Sequence, residues 1–134
     1  MAGRQQCRPV IFCAAPSPRH AVADHFALSE VAQRLAADGH DFAEFFRAPS
    51  GSLSLTIARW PAGAVDDQQP HTEDEVYYVW SGRAVLTVGD ERLTVEPGSL
   101  AFVAAGVEHR FSEISEDLET LVFWSPARHA NAPG

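Results

Sequence analysis

From Phe42 onward apolar and polar side chains alternate with a period of two, the pattern of half-buried strands. In "SLSLTIARW" Leu53, Leu55 and Ile57 fall on one face and Ser54, Thr56 and Ala58 on the other, with Arg59 continuing the apolar row. The run "EVYYVW" sets Glu75, Tyr77 and Val79 against Val76, Tyr78 and Trp80. "RAVLTVGDERLTVEPG" reads as a hairpin turning at Gly89 and Asp90, and "SLAFV", "HRFSEI" and "ETLVFWSP" supply further strands. Turn signals recur about every 8–12 residues, as in a sandwich or barrel. Before this region the period changes. "LSEVAQRLAADG" predicts a short helix over 28–38, with Ser29 as N-cap, Val31 and Leu35 on one face, and Gly39 as its stop. Three regions result: an extension over 1–27 in which "PVIF" is a prospective edge strand, a β domain over 28–126, and a tail over 127–134 expected to be disordered.

Composition narrows the class without altering this picture. One domain of 134 residues with 46% hydrophobic and 21% charged residues is ordinary for a globular protein. A formal net charge of −8 argues against nucleic acid or an anionic membrane as partner. No apolar run approaches the roughly 18 residues of a membrane helix. The N-terminus has a basic start and an apolar patch, Val10 to Ala15, but the patch is shorter than the h-region of about 7–15 residues typical of a signal peptide. A cytoplasmic location follows as the expectation. Cys7 and Cys13 are too far apart for a CxxC pair and are expected as free thiols.

The chemistry gathers around Glu75. If that carboxylate faces inward it needs a partner or a metal, because a buried charge is otherwise costly. His71 stands just upstream, and His109 begins a strand after the turn at Gly106, sharing a face with Phe111. Two imidazoles and one carboxylate converging from two strands make the ligand set of a facial triad with open positions. Tyr77, two residues beyond Glu75, points to the same side.

These stretches resemble the two motifs of the cupins. Gly63 opens the first, Gln69 stands where the first ligand histidine is expected, His71 and Glu75 follow at motif spacing, and Gly82 closes it. Gly98, "AAG" at 104–106 and His109 reproduce the second motif. Three positions depart: Gln69 for histidine, Ala104 for proline and Glu113 for asparagine. The resemblance implies an all-β fold, a cupin-type double-stranded β-helix or jelly-roll barrel with one short N-terminal helix. It also implies one divalent ion per chain (Fe, Zn, Mn or Ni) on Gln69, His71, Glu75 and His109. Phosphomannose isomerases look similar, with glutamine, histidine, glutamate and histidine around zinc. Gln68 is the alternative donor if Pro70 breaks the alternation, and Asp66 or Asp67 a more distant one. Tyr77 is a candidate acid–base group, by analogy with cupin lyases, or a packing residue. Arg59 either enters the barrel to meet an anionic substrate or sits at the surface. Phe111 is a candidate for substrate contact, although it also reads, with Phe46, Phe102, Phe123 and Trp124, as core or interface.

Cupins include dioxygenases, isomerases, lyases, epimerases, storage proteins and sugar-binding regulators, so family alone does not fix activity. The expectation is a metal-dependent enzyme for a small carbonyl- or carboxylate-bearing molecule, dioxygenase-like ahead of isomerase or lyase. The alternative is a non-catalytic module that binds a small molecule or sugar around a structural metal. Exposed sheet edges, the strand-forming part of the N-terminus and the aromatic "LVFWSP" segment favour a homodimer.

Overall fold

The computed structural model describes residues 23–131. "PVIF", both cysteines, His20 and residues 132–134 of the tail lie outside the described residues. Helix α1 (Leu28–Ala37) precedes six strands: β1 (Phe42–Arg47), β2 (Ser54–Trp60), β3 (Asp74–Val88), β4 (Glu91–Val95), β5 (Leu100–Val103) and β6 (His109–Ser125). All pairings are antiparallel, in the order β1-β2-β6-β3-β4, with β5 also on β3. No helix among the described residues is long and apolar enough to cross a membrane.

Two strands are longer than the sequence suggests. "EVYYVWSG" and "RAVLTV" form one strand, β3, and "HRFSEI" and "ETLVFWSP" form one strand, β6. The register between β3 and β6 shifts at Val79/Ser81, Ser81/Arg83 and Arg83/Val85. There the paired strands turn a corner, so their two ends belong to different walls. The first half of β3 lies between β5 and the end of β6, while its second half lies between β4 and the start of β6. Gly82 sits at this corner with φ of +93°, and a Cβ there would lie 2.2 Å from the Asp117 carbonyl oxygen. It bends the strand instead of ending it.

The two faces of β2 are used in the opposite sense to the simplest reading of their polarity. Ile57 is buried with Val31 and Leu35 of α1 and Ala43 and Phe45 of β1, and Leu55, Trp80 and Leu121 pack around them. Ser54, Thr56 and Ala58 point into the barrel and are each 0–1% exposed. The hydroxyls are kept inside because they have work as acceptors: Thr56 Oγ1 takes the Trp124 indole N–H at 3.0 Å, and Ser54 Oγ takes the Arg128 amide at 2.9 Å. The apolar core of the barrel is formed by Tyr77, Val79, Leu86, Val103, Phe111, Leu118, Val122 and Trp124.

Both ends of the barrel domain differ from expectation. Ala27, not Ser29, caps α1, and its carbonyl accepts the amides of Glu30 and Val31 while no side chain joins in. Ser29 lies within the first turn, whereas Gly39 ends the helix in the left-handed region as expected. Residues 127–131 do not behave as a loose tail. Ala127 is fully buried and bonds the Gly51 carbonyl at 2.9 Å, and the His129 amide bonds Glu73 Oε2 at 2.9 Å.

Candidate metal centre

Glu75 enters the barrel from β3 and is 1% exposed. His109 reaches it from the first position of β6, with its Nε2 3.0 Å from Glu75 Oε2. His71, on the loop before β3, places its Nε2 3.4 Å from the same oxygen. Two bonds tie the loops that carry the imidazoles. The Gly106 amide donates to the His71 carbonyl at 2.6 Å, and the Ala105 amide to Asp74 Oδ1 at 2.8 Å. One ligand atom from each of His71, Glu75 and His109 lies within 4.8 Å of the others.

This arrangement lacks a positive centre. His109 Nδ1 is 2.9 Å from the Val107 carbonyl, which only accepts, so Nδ1 carries the proton. In the neutral ring Nε2 then presents a lone pair to a carboxylate oxygen. Both Glu75 oxygens and His109 Nε2 are buried without a hydrogen-bond partner. A proton or a cation between them resolves the conflict. Burial pushes His109 down, but Glu75 and the Val107 carbonyl outweigh it, and its pKa stands above 6.5. Burial dominates at His71, whose pKa is lowered despite Glu75. One shared carboxylate thus favours a proton on one ring, the one already held by Val107. A divalent ion satisfies both rings and the carboxylate together, and the donor set suits Fe, Zn, Mn or Ni.

The amide beside this group is that of Gln68. Its Oε1 is 3.3 Å from His71 Nε2 and accepts the Tyr77 hydroxyl at 3.2 Å. The amide cannot turn over freely, since its Nε2 donates to Asp66 Oδ2 at 2.6 Å. Asp66 is itself buried and also receives the Phe111 amide at 2.8 Å. Gln69 is exposed, and its amide donates to the Asp67 carbonyl instead. The loop before Pro70 does not keep strand alternation, which is why the motif position and the spatial position differ by one residue.

The remaining candidates divide cleanly. The Tyr77 side chain is buried on the Glu75 face, and desolvation followed by the Glu75 charge raises its pKa well above 10. It stands as a neutral phenol that donates. Phe111 is 1% exposed and packs against Trp60 and Tyr77, as core beneath the site. Arg59 points away from the interior, toward Asp41, Asp117 and Glu119 at 3.5, 3.0 and 3.7 Å. It follows the Leu55–Ile57 face, which faces outward.

On the His71 side of the His71, Glu75 and His109 group opens a cavity of about 220 Å³, walled in part by Trp60, Gln68, His71, Tyr77, Trp124 and Arg128. Sequence reasoning missed two of these. Trp60 continues the Ser54–Thr56–Ala58 face, so the alternation held the signal once the inner face was known. Arg128 follows the last strand among small residues, and no local pattern marks it.

Residues 56–125 match the cupin-domain family model. The chain belongs to the cupin family. A relative from Streptomyces coelicolor, the uncharacterized protein SCO3923, is 45% identical over 101 residues, covering 75% of this cupin and 94% of the relative. Among solved structures, KdgF from Halomonas sp. superposes with a TM-score of 0.59 at 19% identity, over 65% of this chain and 78% of that one. A predicted oxalate decarboxylase from Thermotoga maritima gives 0.56 at 20% identity, over 63% and 78%. At these identities the superpositions speak for the fold. This cupin is thus a mostly antiparallel β-barrel with one short helix, matching the expected class.

Proposed function

We propose that this cupin is a metal-dependent enzyme acting on a small carbonyl- or carboxylate-bearing molecule, with one ion held by His71, Glu75, His109 and Gln68. The observation that carries the reading is the buried Glu75 carboxylate, without a hydrogen-bond partner and facing two imidazoles, one of which, His71, lines an aromatic cavity. A bound ion supplies Lewis acidity toward a substrate oxygen or, as iron, access to O2. The protein's own groups do the rest. Trp60 and Trp124 wall the cavity, and Asp66 holds the Gln68 amide in one orientation. Tyr77, kept protonated, offers its hydrogen to an oxygen on the Glu75 side, a donor's part and not a base's. Oxygenase chemistry is the first expectation and proton-transfer chemistry the second. We further propose a cytoplasmic homodimer, joined through the exposed face of β5.

Elemental analysis of protein purified without chelator, followed by O2 uptake with a panel of small carbonyl and carboxylate compounds, tests the activity. One iron per chain with substrate-dependent uptake is the expected result. Tight zinc, manganese or nickel without O2 uptake moves the reaction to isomerisation or cleavage. Protein that holds no ion when iron and zinc are supplied overturns the proposal.

A further inference from the structure

Among the described residues, Arg128 is an arginine whose charge has no assigned task. Its backbone is fixed from both sides: its amide donates to Ser54 Oγ at 2.9 Å, and its carbonyl accepts Arg47 Nη2 at 2.6 Å. The residue before it is fully buried. The guanidinium lies over two aromatic rings, 4.6 Å from the centroid of Phe42 and 5.4 Å from that of Trp124. No carboxylate lies within ion-pair distance of it among the described residues, although five other arginines have such partners, and its Nε is buried without a hydrogen bond. Burial pulls its pKa below the usual value, with Glu44, Glu73 and Glu75 opposing from farther off. In a chain of net charge −8, a half-buried guanidinium in a cavity wall, with a buried Nε that has no hydrogen-bond partner, is a specific feature.

We propose that Arg128 binds the carboxylate of the substrate, and that the substrate is a small, flat, monoanionic acid. The inference rests on the cavity being the substrate site. The planar fork of a guanidinium matches a carboxylate with two parallel hydrogen bonds, and stacking on Phe42 and Trp124 orients the fork before the ligand arrives. The aromatic walls favour an unsaturated or aromatic body. The same Trp124 that lies under Arg128 meets the His71 ring edge at 5.0 Å, so the anion is held within one indole's width of the metal ligands. Size sets the limit. A volume of about 220 Å³ holds the equivalent of roughly seven waters, each taking about 30 Å³, which suits an acid of about seven to ten non-hydrogen atoms.

Benzoate and its neutral analogue benzamide, titrated into full-length protein with its metal content measured on the same samples, test the assignment. Tryptophan fluorescence and calorimetry report binding. Wild type should bind benzoate, and Arg128→Gln should bind it about ten- to a hundredfold more weakly, the range for a lost charge-assisted contact. Benzamide binding and metal content should be unchanged in the variant, and Arg128→Lys should recover part of the benzoate affinity. Unchanged benzoate affinity in Arg128→Gln overturns the proposal. So does an equal loss for benzoate and benzamide, which marks a packing role, and so does wild type that binds no benzoate at millimolar concentrations. Metal content is read separately, so a failed anion site and a failed metal site give different results.

Discussion

His109 commits one ring nitrogen to the Val107 carbonyl and turns the other toward Glu75, and this division governs how the site should respond to substitution and to pH. His71→Ala and His109→Ala should each abolish stoichiometric metal binding, since each removes an imidazole donor. Gln68→Ala should weaken binding by about tenfold, as expected for a weaker oxygen donor. Gln69→Ala should leave it unchanged, because that side chain is exposed and it is Gln68 that stands beside His71. Metal titrations of the four variants check this, and equal effects at Gln68 and Gln69 would contradict the geometry. The pH dependence follows from two opposite shifts. With the His109 pKa above 6.5, a proton competes for that nitrogen before an ordinary histidine would titrate. His71, lowered, adds competition only below 6.5. Zinc affinity should therefore fall as pH drops through the raised His109 value, about tenfold per unit while one proton is displaced. A decline confined to pH below 6.5, in a chelator-competition titration, counts against it. Tyr77→Phe retains the ring and removes a hydrogen bond to Gln68, so stability should change by no more than about 1–2 kcal/mol. Metal content should hold while turnover falls, by up to about 10²–10⁴-fold for a lost proton-donating group.

At the level of elements, Gly82 shows why a motif glycine can be read correctly and understood wrongly. As a turn signal it marks the end of a strand, yet it lies inside β3 where β6 crosses against it. Gly82→Ala places a methyl group 2.2 Å from the Asp117 carbonyl at a φ of +93°, so clash adds to backbone strain. Unfolding in urea should show a loss of about 2–4 kcal/mol. Gly98→Ala, at φ +97° with nothing within 4 Å of the new Cβ, should lose only the strain, about 1–3 kcal/mol. A smaller loss at Gly82 than at Gly98 would refute the crowded corner. The same distinction explains what was legible. Period-two alternation located β2 and β3, and motif spacing placed His71, Glu75 and His109, because both are local properties of strands. Which face of β2 turns inward depends on α1 covering the other, a contact between distant segments that alternation does not encode. For that reason alternation leaves Arg59 open between cavity and surface, where the structure places it at the surface, and does not mark Trp60. Gln68 replaced Gln69 because a loop has no period. Arg128 was lost in the supposed tail because its placement depends on Gly51, Ser54 and Arg47, more than seventy residues earlier.

On the scale of the whole molecule, the unbalanced surface is the outer face of β5. Leu100 and Phe102 are 69% and 60% exposed, side by side on a four-residue strand. They stand opposite Tyr78 and Val76 of β3, both half-buried on the same face. Among the described residues the other edge of β5 carries no strand, and its outer amides and carbonyls have no strand partner there. The expected occupant is a second copy: antiparallel pairing of β5 with itself about a two-fold axis would complete both edges and bring the two pairs of apolar side chains together. The charge of −8 on each chain opposes the contact, and salt screens that repulsion, so dimerisation should strengthen as ionic strength rises. Phe102→Glu adds a charge at the contact without entering the core, since the side chain already faces solvent in the single chain. Light scattering at micromolar concentration should give twice the 14.6 kDa chain mass for wild type and one chain mass for Phe102→Glu. The unfolding of the variant at low concentration should match that of wild type, where both are dissociated. A wild-type mass of one chain, or a variant that remains dimeric, removes β5 as the interface and leaves its two exposed side chains without a partner.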